Sequence, residues 1–249
     1  MGFVAASISA GCADNDSAAP EGAPGGGTGK AGSMARFAID GDNLYAIAGA
    51  EIKQFDISTP NRPGLWSTVE VAFDIETLFP YEDYLFIGSE TGVHIYEFSS
   101  LGQLEEVSSL LHVQSCDPVV VEGDRAYVTL RGDSRCSLDG VNQFQIIDIS
   151  DIRRPVLLES YDMAGPRGLG VDDGQVFICD GDTGLKVLDV TEPSDLRRID
   201  HLPEQICYDV IPDMGELIVS SFDGLYQYNY DEPMLVELSR LQIAEEDLL

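Results

Sequence analysis

From Met34 onward, short runs of alternating apolar and polar residues return at a nearly constant spacing. The phrases Leu44-Tyr45-Ala46-Ile47, Leu85-Phe86-Ile87-Gly88, Ala126-Tyr127-Val128-Thr129, Val176-Phe177-Ile178-Cys179 and Leu217-Ile218-Val219-Ser220 begin at intervals of 41, 41, 50 and 41 residues. A second phrase follows each: Phe55-Asp56-Ile57, Tyr96-Glu97-Phe98, Ile147-Asp148-Ile149, Leu188-Asp189-Val190 and Tyr228-Asn229-Tyr230, at intervals of 41, 51, 41 and 40. Two landmarks that keep register through five copies divide the chain into five units. The one long interval marks an insertion around residues 131–141.

Within each unit the pattern predicts four short strands. In the third they fall at 118–122, 126–130, 144–149 and 156–161, all rich in β-branched and aromatic residues. Gly and Asp, which tolerate the positive φ of a tight hairpin, separate them, as in Glu122-Gly123-Asp124-Arg125 and Asp172-Asp173-Gly174-Gln175. If Gly123-Asp124 is a two-residue turn, paired positions on its flanking strands sum to 247. No long stretch carries a helical apolar period. Four short strands in about 40 residues is the pattern of a propeller blade. The expected fold is all-β, a five-bladed β-propeller of four-stranded blades over residues 34–243, closed into a ring, with an acidic tail at 244–249. The first unit holds four strands of its own, so a blade shared between the two ends is not expected.

The repeated Asp of the second phrase has a local explanation. Asp56, Asp148 and Asp189 precede Pro60, Pro155 and Pro193, where a carboxylate accepts backbone N–H groups of the coming turn. Repetition in several blades assigns these residues to the scaffold.

Residues 1–33 do not carry the repeat. A small apolar stretch from Phe3 to Ala10 leads to Ser9-Ala10-Gly11-Cys12, and a Gly-, Ala-, Pro-, Asp- and Ser-rich segment follows, whose composition suits a disordered linker. This arrangement resembles the export signal of a bacterial lipoprotein, shortened at its front because no basic residue precedes the apolar stretch. The resemblance implies lipidation of Cys12, with the membrane engaged only through that lipid.

Charge narrows the partners. The 249 residues include 14 Lys and Arg against 44 Asp and Glu, a formal charge of −30. A surface so acidic repels phosphate backbones, so nucleic acid is not an expected partner. Self-repulsion of this size also predicts a protein stabilised by salt. No apolar run reaches the ~20 residues of a spanning helix.

Gln145-Ile146-Ile147-Asp148-Ile149-Ser150 and Lys186-Val187-Leu188-Asp189-Val190-Thr191-Glu192-Pro193 resemble LVIVD repeats, as do the runs from Cys116 to Arg131 and from Gly168 to Asp182. In the second and fifth units Glu97 and Asn229 replace the family Asp, with aromatic neighbours. WD40 and kelch signatures are missing: Ser67 follows the single Trp66, and no glycine pair occurs outside the linker. The LVIVD resemblance implies a propeller exported to the bacterial cell envelope or surface, with the outer membrane as the expected anchor.

The familiar catalytic constellations are missing. His94, His112 and His201 fall in different strands, and no Gly-x-Ser-x-Gly occurs. Gly25-Gly26-Gly27-Thr28-Gly29-Lys30 has Pro24 and Ala31 where a phosphate loop needs Gly and Ser or Thr. Asp180 and Asp182, in Asp180-Gly181-Asp182-Thr183-Gly184, are a candidate partial calcium loop, set against an ordinary hairpin. No other cofactor is expected. Arg131-Gly132-Asp133 reads as a turn in the insertion.

Superposing the units places Ala35, Glu76, Asp117, Arg167 and Tyr208 at equivalent positions opening the innermost strands. Arg36, Thr77, Pro118, Gly168 and Asp209 come next, and the apolar Phe37, Leu78, Val119, Leu169 and Val210 follow. Glu76, Asp117, Arg167, Tyr208 and Asp209 are the candidate ligand-binding residues, at one mouth of the central channel.

Export into an oxidising compartment permits disulfides. The 247 rule sets Cys116 opposite Arg131, close to where the insertion carrying Cys136 departs, so Cys116–Cys136 is the expected bond. Cys179 and Cys207 would pair only across neighbouring blades and are expected to be free buried thiols. The functional expectation is a non-enzymatic, monomeric binding or scaffold module for a protein or glycan at the cell envelope. The alternatives are a hydrolase or lyase using the channel mouth, and a calcium-stabilised surface module.

Overall fold

The structure, a computed structural model, describes residues 32–71, 75–98, 103–111, 118–132, 141–232 and 234–243. Cys12, His112, Cys116, Asp117, Cys136 and the acidic tail lie outside the described residues.

Blade 1 comprises β1 (Phe37–Asp40), β2 (Asn43–Ala48), β3 (Glu51–Asp56) and β4 (Gly64–Glu70). Blade 2 comprises β5 (Ile75–Tyr81), β6 (Tyr84–Ser89), β7 (Gly92–Phe98) and β8 (Leu104–Leu111). Blade 3 comprises β9 (Val119–Glu122), β10 (Arg125–Leu130), β11 (Gln143–Asp148) and β12 (Val156–Asp162). Blade 4 comprises β13 (Leu169–Asp172), β14 (Gln175–Cys179), β15 (Leu185–Asp189) and β16 (Arg197–Leu202). Blade 5 comprises β17 (Cys207–Asp213), β18 (Glu216–Ser221), β19 (Gly224–Asn229) and β20 (Val236–Gln242). Each is an antiparallel sheet of four strands in chain order, so no blade borrows a strand from another.

Local chemistry sets the hairpins. Glu122 pairs with Arg125 and Val119 with Val128, the register that the two-residue turn requires. Asp173 and Gly174, at φ 48° and 70°, turn β13 into β14 with the two left-handed residues of a tight hairpin. The repeated Asp residues act as expected: Asp56, Asp148 and Asp189 accept the amides of Ser58, Ser150 and Thr191 at 2.9, 2.8 and 3.0 Å. The serine and threonine partners hold all three carboxyls below the ordinary Asp value.

Side chains alternate between the two faces of each sheet, so each blade offers one apolar face to the blade before it and another to the blade after it. Four buried clusters fill the junctions of blades 1 and 2, 2 and 3, 3 and 4, and 4 and 5. The fifth junction departs from the expected ring. Among the described residues no buried cluster joins blade 5 to blade 1. Leu78, Val119, Leu169 and Val210 are at most 1% exposed, yet Phe37, their equivalent in blade 1, is 58% exposed. That position faces the preceding blade, and Leu225 and Leu241 on the corresponding outer face of blade 5 are exposed as well. The two ends meet instead at the channel mouth. There Ser33 Oγ donates to Asp209 Oδ1 at 2.9 Å and Met34 N to Oδ2 at 3.3 Å. Gly32 and Ser33, assigned by composition to the tail, are thus buried parts of the fold.

Candidate functional site at the channel mouth

The innermost strands of blades 2 and 5 begin with a β-bulge, and the extra residues are Glu76 and Tyr208. A bulge re-aims the side chain it frees from the ladder. Both occupy the position that superposed units place at the mouth.

A concavity of about 280 Å³ opens there, lined by Met34 and Arg36 ahead of β1, Glu76 and Thr77 of β5, Pro118 before β9, Arg131 after β10, and Pro166 and Arg167 before β13. Blades 1 to 4 all contribute. Arg167 is held by its backbone: its N–H donates to Cys179 O at 2.7 Å, and its carbonyl accepts Thr129 Oγ1 at 2.6 Å. Its guanidinium lies 5.1 Å from the centre of the Tyr208 ring and reaches Cys207 O at 3.5 Å. Its Nε is buried without an acceptor.

Of the candidate residues, Glu76 and Arg167 therefore line one concavity and Tyr208 flanks Arg167. Asp117 lies outside the described residues. Asp209 does not line the concavity. It sits behind the Ser33–Met34 segment, between two glycines whose lack of a Cβ leaves room for its carboxylate. A Cβ on Gly32 would lie 2.0 Å from Asp209 Oδ2, and one on Gly168 would lie 2.1 Å from Oδ1. Burial pushes Asp209 up to about 6, against the Ser33 hydroxyl and the amides of Met34, Val210 and Ser33, which favour the charged form.

The structure corrects the expectation that Cys179 and Cys207 are free thiols; the expected Cys116–Cys136 bond lies outside the described residues. Cys179, ending β14, and Cys207, beginning β17, are joined in a disulfide with Cα atoms 5.3 Å apart. The edges of blades 4 and 5 converge at the mouth, and that approach brings together two residues from separate repeats. The bond lies against Arg167, which contacts the carbonyls of both cysteines.

Asp180 and Asp182 are not brought together. Asp180 is fully buried and accepts the amides of Ala164 and Gly165, the Thr183 hydroxyl and the Lys186 ammonium. Burial alone would raise its pKa; the Gly165 amide, Lys186 and the Ala164 amide outweigh it and lower the value. Asp182 is exposed. Among the described residues, no cluster of three or more His, Cys, Asp or Glu side chains is placed to hold a metal ion.

Two features of the mouth escape a residue-by-residue reading. Ser33 bonds both Asp209 and, through its Oγ, the Leu169 amide at 2.8 Å, so the lead-in segment ties blades 4 and 5. Arg131, read as a turn residue, joins the mouth because its strand ends there. Repeat superposition supplies a signal for neither, since both lie outside the positions compared.

Five radially arranged, four-stranded antiparallel blades around a channel with a polar mouth define a β-propeller. The LVIVD repeat matches residues 115–163 and 167–198, so the chain is a five-bladed propeller with LVIVD repeats in its third and fourth blades. No curated protein matches the sequence. Among solved structures the fold is similar to a Lactobacillus plantarum protein, at 16% identity and TM-score 0.65 over 84% of this chain and 71% of that one. It is also similar to the periplasmic gluconolactonase of Pseudomonas aeruginosa, at 12% identity and TM-score 0.64 over 82% and 68%. A functionally unknown protein from Desulfotomaculum acetoxidans aligns at 10% identity and TM-score 0.66 over 86% and 72%. At these identities the likeness is one of fold.

Proposed function

We propose that this propeller is an exported, non-catalytic binding module that recognises a protein or glycan of the cell envelope through the channel mouth, tethered by a lipid on Cys12. One observation carries the reading. Side chains from four blades converge on a small concavity, and its described lining offers charged and hydroxyl groups but no Ser, Cys or His to serve as a nucleophile or its base. The Cys179–Cys207 disulfide supports an oxidising compartment, and the LVIVD repeats support kinship with exported propellers. A second reading, hydrolysis at the mouth, is favoured by the fold's likeness to a gluconolactonase.

Arg36 is exposed at the rim, so Arg36→Trp fills the mouth with little strain on the fold. The wild type and this variant are immobilised and offered to an envelope fraction and a glycan array. A protein or glycan retained by the wild type and lost by the variant is the expected result. Equal capture by both refutes recognition at the mouth. Turnover of gluconolactone by the wild type, abolished in the variant, establishes the enzymatic reading instead.

A further inference from the structure

Acidic groups outnumber basic ones three to one, 44 against 14, and the net charge is −30. The mouth reverses that balance: its described charged lining is Arg36, Arg131 and Arg167 against Glu76. Elsewhere the cations are largely consumed by carboxylates, as in Lys186–Asp180, Arg197–Asp189, Arg154–Asp151 and Arg153–Glu97. Neither Arg36 nor Arg167 forms an ion pair with a carboxylate of the described residues. Arg62, Arg125 and Arg198 share that status, but Arg62 and Arg198 are exposed, and the half-buried Arg125 donates to the carbonyls of Val190 and Thr191. Arg167 differs from all three because it lines the concavity, its backbone is held at both ends, and its buried Nε has no acceptor. A guanidinium nitrogen withdrawn from water without an acceptor costs free energy.

We propose that the mouth binds a small carboxylate that also carries hydroxyl groups, its anionic end taken by Arg36 and Arg167. This rests on the reading of the mouth as the binding site and names the chemistry of what it takes. The arginine fork matches the planar carboxylate bidentately. Glu76 and Thr77, on the same wall, present oxygens that accept hydroxyl donors. A volume of about 280 Å³ limits the ligand to roughly a monosaccharide. The field of a −30 chain selects between anions: a dianionic phosphate meets twice the long-range repulsion of a monocarboxylate.

The test is titration calorimetry on the full chain in a Tris chloride buffer at fixed ionic strength, with sodium glucuronate, glucose and inorganic phosphate as probes. Glucuronate is expected to bind at least tenfold more tightly than glucose or phosphate. Arg36→Gln and Arg167→Gln should each weaken glucuronate at least tenfold, while Arg62→Gln leaves it unchanged. Thermal melts establish that each variant is folded, and the exposed Arg36 keeps the test open should Arg167→Gln unfold. Glucose binding as tightly as glucuronate, phosphate binding more tightly, full affinity in Arg36→Gln, or no binding of glucuronate overturns the proposal. If it fails while Arg36→Trp still loses a captured partner, the mouth remains the site and only the ligand class is wrong. If Arg36→Trp captures as the wild type does, the site itself falls.

Discussion

Asp209 joins the two ends of the blade array, and its charge opposes the fold that it holds together. Its carboxylate lies between Gly32 and Gly168, bonded by Ser33 Oγ and Met34 N, and burial lifts it from 3.8 to about 6. That shift corresponds to about 3 kcal/mol. The sign follows from linkage. A carboxyl whose folded value is raised contributes stability that is fully present below 3.8 and lost as pH rises through about 6. At pH 7.5 the fold therefore carries the whole cost of an ionised Asp209.

Asp209→Asn removes the charge and keeps one acceptor oxygen for Ser33. It turns the other oxygen into a donor facing the Met34 amide, at a cost of about 1 kcal/mol. The net expectation at pH 7.5 is a gain of about 1–2 kcal/mol, which should vanish by pH 4.5, where the wild-type carboxyl is already protonated in the fold. The lowered carboxyls of Asp56, Asp148, Asp180 and Asp189 contribute stability that is lost as pH falls through their folded values. Both proteins share them, so they cancel in the difference. Urea unfolding of both proteins at the two pH values, with equal m-values, measures the effect. A variant less stable than the wild type by the same amount at both pH values would show that folding leaves the carboxyl unshifted, and would refute the reasoning.

Phe37→Ala should cost under about 1 kcal/mol and Leu78→Ala about 2–5 kcal/mol, although the two positions are equivalent in the repeat, because only Leu78 is sealed by a neighbouring blade. Equal losses in urea titrations would mean that blade 5 closes on blade 1 in solution. Replacing both Cys179 and Cys207 with Ala opens a covalent loop with a sequence separation of 28. By loop-closure entropy this should cost about 3.5 kcal/mol. A double variant that melts with the oxidised wild type would remove the bond from the stability of the fold. Gly168→Ala drives a methyl to 2.1 Å from Asp209 Oδ1 and 2.7 Å from its Cα, so a loss of about 1–3 kcal/mol is expected, and an unchanged melting temperature would contradict it.

The alternation of apolar residues, the turn residues and the 41-residue spacing were enough to place all five blades and the order of their strands. They were also enough for the 247 register in blade 3 and the carboxylate-capped turns at Asp56, Asp148 and Asp189. These features depend on contacts between residues close in sequence, and every unit repeats them, so each copy corroborates the others. The positions of Glu76, Arg167 and Tyr208 at one mouth followed from the same repetition. Contacts between units carry no such signature. The Cys179–Cys207 bond, the grip of Ser33 on Asp209, and Arg131 at the mouth each join residues from different repeats, or from outside them. Only the radial packing of blades brings them within reach. The seam is the sharpest case. Phe37 and Leu78 occupy the same place in the repeat and differ only in what stands next to their blade, a property of the assembled array that no single unit encodes.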